Sequence, residues 1–319
     1  MKFVSTKMLA AGAVALSFGM GTVTAGATDF INILTGGTSG VYYPLGVALS
    51  KIYSDTMKNV KVQVQSTKAS VENLNLLQQG RGELAFALGD SVKAAWDGDK
   101  EAGFGKKLDK LRAIAAIYPN YVQIVATKSS GIKSFQDLKG HSLSVGAPKS
   151  GTELNARQIF QALGMSYKDL SKTEYLAFGE SVELMKNRQL DATLQSAGLG
   201  VSSIKDLASS VPIQVVAVPK SVAEKLGAPF LSADIPAGTY DGQDKAVPTL
   251  AITNILVTRA GVSDEEAYEM TKQLFEHLPD MVAAHSAAKA ISLKDAATGL
   301  PIPLHPGAMR YYKEKGLIK

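Results

Sequence analysis

The chain has 319 residues, no cysteine and a formal charge of +5. Without cysteine, thiol catalysis, thiolate zinc sites, iron–sulfur clusters and an acylated lipobox cysteine are excluded. The length is large for one compact core and comfortable for two lobes, and the dispersed lysines form no basic run interleaved with aromatics, which argues against nucleic-acid binding.

Residues 1–7 carry two lysines and no acid, residues 8–21 are apolar, and Thr24-Ala25-Gly26-Ala27 offers small residues to a signal peptidase. This order predicts a secretory signal peptide over residues 1–27, cleaved after Ala27. Loss of Lys2 and Lys7 leaves 32 basic against 29 acidic residues, a mature charge of +3, which mildly favours anions. No later segment approaches the roughly 20 apolar residues of a membrane-spanning helix.

Beyond the leader, short β-type apolar runs alternate with amphipathic helical stretches. Strands are predicted at 30–34, 60–65, 84–88, 114–117, 122–127, 143–146, 175–178, 192–195 and 213–218. Helices are predicted over 41–54, from Ser70 to a stop at Gly80, and over 152–163 with a stop at Gly164. The order implies an α/β fold with largely parallel sheets. Two longer β-type segments stand apart: 113–127, interrupted by Tyr118-Pro119-Asn120, and 249–259. Taken as crossings between lobes, they divide the mature chain into lobe I (28–120 and 250–319) and lobe II (121–249), with a ligand cleft between. One continuous doubly wound sheet is the alternative. From Ser263 the chain turns helical, and Ser263-Asp264-Glu265-Glu266 fits a capping box in which Ser263 caps and Glu266 reaches back. A last helix is predicted to open at His305-Pro306, with proline in its first turn.

Three strand–loop–helix junctions have the composition of anion sites. In Thr35-Gly36-Gly37-Thr38-Ser39-Gly40 the glycines let backbone amides approach a ligand, Thr38 and Ser39 add hydroxyls, and the next helix start favours negative charge. The spacing is not that of a dinucleotide fingerprint. In Gly146-Ala147-Pro148-Lys149-Ser150-Gly151-Thr152, threonine stands where a phosphate loop needs lysine, leaving amides and hydroxyls suited to a carboxylate. Lys149 either adds a full positive charge there or is solvated. The third junction is Phe178-Gly179-Glu180-Ser181, and Ser66, Ser70 and Asn73 enter another helix. Ser70 either faces the cleft or caps its helix; Tyr118 and Asn120, at a predicted crossing, either meet the ligand or pack in the core.

No G-x-S-x-G elbow occurs, and the two S-x-x-K matches, at Ser130 and Ser202, lack their companion motifs. His141, His277, His285 and His305 show no metal-ligand spacing. No catalytic residue, metal or cofactor is expected. An enzyme acting on a carboxylate in the same cleft is the alternative.

The chain resembles the TAXI class of solute receptors of tripartite ATP-independent periplasmic (TRAP) transporters. The blocks that carry the resemblance run from Thr35 to Pro44, from Ala69 to Leu74, from Ser144 to Glu153, from Ile235 to Tyr240 and from Ile302 to Ala308. It implies a type II periplasmic-binding-protein fold, closure of two lobes on a small carboxylate such as glutamate or 2-oxoglutarate, and delivery to integral membrane subunits driven by an ion gradient. A periplasmic monomer is expected. Carried over, the family's site falls on Thr38, Ser39, Gly40, Tyr42, Ser70, Asn73, Ser150, Gly151 and Thr152, and Tyr118, Lys149 and Glu180 complete the expected set. Asn120 and Lys149 depart from the family pattern, each toward less negative charge near the cleft, which favours an acidic solute.

Overall fold

The computed structural model describes residues 29–319 and the first two residues, so the predicted leader lies outside the described residues apart from Met1 and Lys2. Strands β1 (Asp29–Leu34) and β2 (Val60–Gln65) pair in parallel on either side of helix α1 (Tyr42–Thr56). β2 lies at the sheet edge and exposes Lys61, Gln63 and Gln65 in alternation, a pattern that discourages pairing with another chain. Helix α2 (Ser70–Gln78) leads to β3 (Leu84–Leu88), buried at every position, as an apolar strand covered on both faces is. Helix α3 (Gly89–Asp97) follows directly, and the chain then enters the 17-residue strand β4 (Leu111–Thr127).

A second parallel group follows. Strand β5 (Ser142–Ser144), helix α4 (Gly151–Ala162), strand β6 (Lys172–Glu174), helix α5 (Phe178–Lys186) and strand β7 (Ala192–Ala197) give the strand order β7-β5-β6. After helix α6 (Ser202–Ser210), strand β8 (Ile213–Val216) pairs with β4. Helix α7 (Ser221–Leu226) and strand β9 (Phe230–Ile235) lead into β10 (Val247–Arg259), whose first half pairs with β9 and whose second half pairs with β3. β4 lies antiparallel beside β10 from Tyr121 back to Leu111. These two strands join the parallel groups into one ten-stranded sheet.

Helices α8 (Asp264–Glu276), α9 (Leu278–Ala284) and α10 (Pro306–Glu314) return to the first group. They are held there by buried hydroxyls: Tyr53 donates to the Met270 carbonyl (3.0 Å) and Tyr312 to that of Ile114 (2.8 Å).

Several local expectations are corrected. Tyr118-Pro119-Asn120 does not interrupt β4, because Pro119, which has no N–H to give, sits opposite Thr253 where the register with β10 shifts, a place where a strand tolerates proline. The strand expected at 175–178 is displaced to Lys172–Glu174, and Phe178 opens α5 instead. The parallel pairing is confined to the two outer groups, since β4, β8, β9 and β10 pair antiparallel. Ser70 does not cap α2; its Oγ accepts the Leu88 N–H (3.1 Å).

The capping box is half formed. Ser263 Oγ accepts the Glu266 N–H (3.1 Å), but Glu266 does not reach back, and its Oε1 is buried without a partner. Burial, with the Asp29 and Glu83 carboxylates, pushes the Glu266 carboxyl up to about 7. A raised folded-state value means that ionising this group opposes folding as pH climbs through that range. Glu266→Gln is therefore expected to raise the melting temperature at pH 8 and to leave it unchanged near pH 4; an equal effect at both pH values would show that the charge is not the cause.

Candidate functional site

A cavity of about 360 Å³ lies where the two strand groups face each other. Four helices begin at its wall: Gly40, Val41 and Tyr42 at the start of α1, Ala69 and Ser70 at α2, Ser150, Gly151 and Thr152 at α4, and Ala177 and Phe178 at α5. Each N-terminus brings unpaired N–H groups and a positive partial charge. The first turns of α1, α2 and α5 carry no side-chain cap from their N-cap residues, and only α4 has one, from Ser150 Oγ to the Glu153 N–H (3.0 Å). Lys68 and Glu180 are the charged residues of the lining. Glu180 is exposed and turns its carboxylate to the Ala177 N–H (3.0 Å) at the start of α5.

The floor is a buried chain of polar side chains from α1 and the two long strands. The Tyr42 hydroxyl donates to Asn254 Oδ1 (2.5 Å), Asn254 Nδ2 donates to Asn120 Oδ1 and to the Tyr118 carbonyl (2.8 Å each), and Asn120 Nδ2 donates to the Ser196 carbonyl (2.9 Å). Burial drives the Tyr42 phenol far above its usual range, so it serves as a neutral donor. The rest of the wall is mostly apolar, with Ala69, Leu88, Pro148, Tyr175, Phe178 and Ala197. Bonds also link the two sides directly. The Glu72 N–H donates to the Lys149 carbonyl (3.1 Å), Ser202 Oγ to the Ser39 carbonyl (3.0 Å), and Arg157 Nη1 to the Glu101 carbonyl (2.6 Å).

Of the twelve sequence-expected site residues, Gly40, Tyr42, Ser70, Ser150, Gly151, Thr152 and Glu180 line this cavity. Thr38, Ser39, Asn73, Tyr118 and Lys149 do not. Thr38 is exposed, and Ser39 lies at the rim, its Oγ near Gly179. Asn73 is wholly buried: Nδ2 donates to the Thr35 (2.7 Å) and Phe86 (2.9 Å) carbonyls, and Oδ1 accepts from Thr67 Oγ1 (2.6 Å), so it braces two wall loops from behind. Tyr118 is enclosed in the core, 0 % exposed. Lys149 occupies a left-handed backbone position (φ 63°) and is exposed; its carbonyl, not its ammonium, ties the loops together.

Several lining residues were absent from the expected set. Lys68 follows a strand on an unremarkable polar stretch, and Ser196 lies one residue beyond the predicted end of its strand. The sequence pattern places Tyr175 and Phe178 in a strand, which hides the start of α5. Asn120, weighed as a ligand contact or a core residue, lines the cavity and is hydrogen-bonded within the floor. None of the four histidines lines the cavity, and among the described residues no group of three or more histidine, aspartate or glutamate side chains is placed to hold a metal. No helix among them is long and apolar enough to cross a membrane.

The profile of the NMT1-like family matches residues 33–316. The chain belongs to the NMT1-like family. Among solved structures it is similar to a putative L-cystine ABC transporter protein from Listeria monocytogenes, at 13 % identity and a TM-score of 0.52, over 83 % of this chain and 98 % of that one. It is also similar to a binding protein component of an ABC phosphonate transporter from Pseudomonas aeruginosa, at 13 % identity and a TM-score of 0.51, over 83 % and 80 %. A structure described as a periplasmic transporter gives a TM-score of 0.56 at 11 % identity, over 83 % and 88 %. At these identities the likeness concerns the fold. This NMT1-like chain has the two-lobed α/β fold of periplasmic solute-binding proteins, with the cavity between its lobes.

Proposed function

We propose that this NMT1-like protein is a periplasmic solute-binding protein that captures a small carboxylate between its lobes and delivers it to the membrane subunits of a TAXI-type TRAP transporter. The observation that carries this reading is the convergence of four helix N-termini and Lys68 on one cavity, an arrangement that replaces the water around an anion with fixed N–H groups and partial positive charge. The volume, about 360 Å³, is that of a small-molecule pocket at the lower end of the usual range. The sequence blocks support the TAXI assignment, and the leader with cleavage after Ala27 supports export. Lys149, exposed outside the lining, lends no support to an acidic solute; Lys68 takes that part, with Glu180 adding the opposite sign elsewhere in the lining.

Capture needs no covalent step. A ligand that contacts both walls stabilises the closed arrangement over the open one by its differential affinity. Calorimetry with 2-oxoglutarate, glutamate and succinate is expected to give binding to at least one, and Thr152→Ala is expected to weaken it about tenfold, the loss of one hydrogen bond to a charged group, roughly 1.5–3 kcal/mol. Binding of neutral amino acids alone would overturn the carboxylate. Reconstituted uptake that collapses with the ion gradient is expected, and uptake that requires ATP instead would overturn the TRAP assignment.

A further inference from the structure

Asp90, at the start of α3, is 5 % exposed and bound to the opposite lobe. Its Oδ2 accepts from Asn155 Nδ2 on α4 (2.8 Å), Asn155 Oδ1 accepts from Ser196 Oγ (2.8 Å), and the Ser196 N–H donates to Thr152 Oγ1 (3.4 Å). Ser196 and Thr152 line the cavity, whereas Asp90 and Asn155 stand behind it. Asp90 Oδ1 is buried without a hydrogen-bond partner.

A carboxylate in such a place keeps only the Asn155 bond and backbone N–H groups at the start of α3, which burial outweighs. The titratable group that faces it is Tyr42 from α1, whose hydroxyl is given to Asn254. The one titratable side chain of α2, Glu72, accepts the Lys68 N–H (2.6 Å) in an exposed hydrogen bond. On α4, Glu153 is paired with Arg157, and on α3 itself Lys93 is paired with Asp97. Asp90 forms no ion pair among the described residues, and β3 and the facing part of β10 present no titratable side chain to it. An unpaired buried oxygen is far less costly on a neutral acid than on an anion. Burial accordingly raises the Asp90 carboxyl to about 7.

The geometry points to Asp90 as a positioning residue that latches the lobes together as a neutral carboxylic acid, so that solute capture by closure takes up a proton. This rests on the proposed solute capture between the lobes. When the lobes part, Asn155 withdraws and water reaches Asp90, whose value returns to about 4. The closed value is the higher one, so the closed form is fully favoured below about pH 4 and loses ground as pH rises to about 7, beyond which the dependence is flat. Between these limits affinity is expected to fall close to tenfold per pH unit, the slope of one linked proton.

Two measurements test this. In the first, calorimetry with 2-oxoglutarate from pH 5 to pH 8, in buffers of different ionisation enthalpy, is expected to show uptake of close to one proton per bound solute near pH 6, and Asp90→Asn is expected to abolish both the uptake and the pH slope. A wild-type affinity that does not change with pH, or a slope that survives in Asp90→Asn, overturns the latch. In the second, X-ray scattering of the ligand-free protein is expected to show compaction as pH falls from 7 to 5, and the same series on Asp90→Asn is expected to be flat. If 2-oxoglutarate does not bind but the compaction is present in wild type and absent in Asp90→Asn, the carboxylate reading fails and the latch stands. Absence of both binding and compaction overturns the latch as well.

Discussion

Gly151→Val is expected to weaken solute binding about a hundredfold while leaving the ligand-free protein folded. A Cβ on Gly151 would lie 2.6 Å from Leu88 Cδ1, 2.6 Å from Ser70 Oγ and 3.0 Å from Ser70 Cβ. All three atoms belong to the lobe opposite α4, so the collision exists only while the lobes are together. Overpacking of this kind costs about 1–3 kcal/mol, and here the whole cost falls on the closed form, where roughly 3 kcal/mol corresponds to about a hundredfold in affinity. Calorimetry, with X-ray scattering to show a wider ligand-free particle, measures the effect. An unchanged affinity would mean that the cleft captures its solute without bringing α4 against α2 and β3.

Gly307→Ala is expected to have the larger effect on stability. Its Cβ would fall 2.0 Å from the Asp264 carbonyl oxygen and 2.7 Å from the Tyr268 nitrogen. Both are backbone atoms of α8, so no rotamer change relieves the clash and α10 must move off its neighbour. That movement disturbs an aromatic cluster in which Tyr311 stacks on Phe275 (centroids 6.1 Å) and meets Tyr268 edge-on (5.9 Å). A loss of about 4 kcal/mol is expected, at the exceptional end for one substitution, which lowers the melting temperature by about 10 °C. A melting temperature within a few degrees of wild type would show that α10 can slide at little cost.

In the first parallel group the strands at 60–65 and 84–88 are legible, one as an apolar–polar alternation and the other as an apolar run between glycines, and the predicted and observed bounds coincide, whereas β6 in the second group is not. The middle of the sheet was harder to read. Pro119 resembles a strand breaker in sequence, and only the register shift opposite Thr253 shows why it breaks nothing. At the cavity, the residues found from sequence are those on glycine-rich strand–helix junctions, where backbone chemistry announces the site. Asn73 and Tyr118 share the polar or aromatic character of ligand contacts, yet one braces loops and the other fills the core. Asp90 carries no signal in the sequence, because its partner Asn155 is 65 positions away. The direction of a side chain and its distant partners are properties of packing, which local pattern does not encode.

The lobes are joined by β4 and β10, lying side by side and antiparallel. Paired strands cannot lengthen along their axis, but the twist between neighbours varies over a wide range. Each parallel group keeps its own internal strand pairings, so empty and loaded molecules would expose nearly the same outer contours, set at different angles. A membrane partner that touched a single lobe would find nothing there to distinguish cargo from vacancy. To respond only to the loaded molecule it must span both lobes and gauge the angle between them.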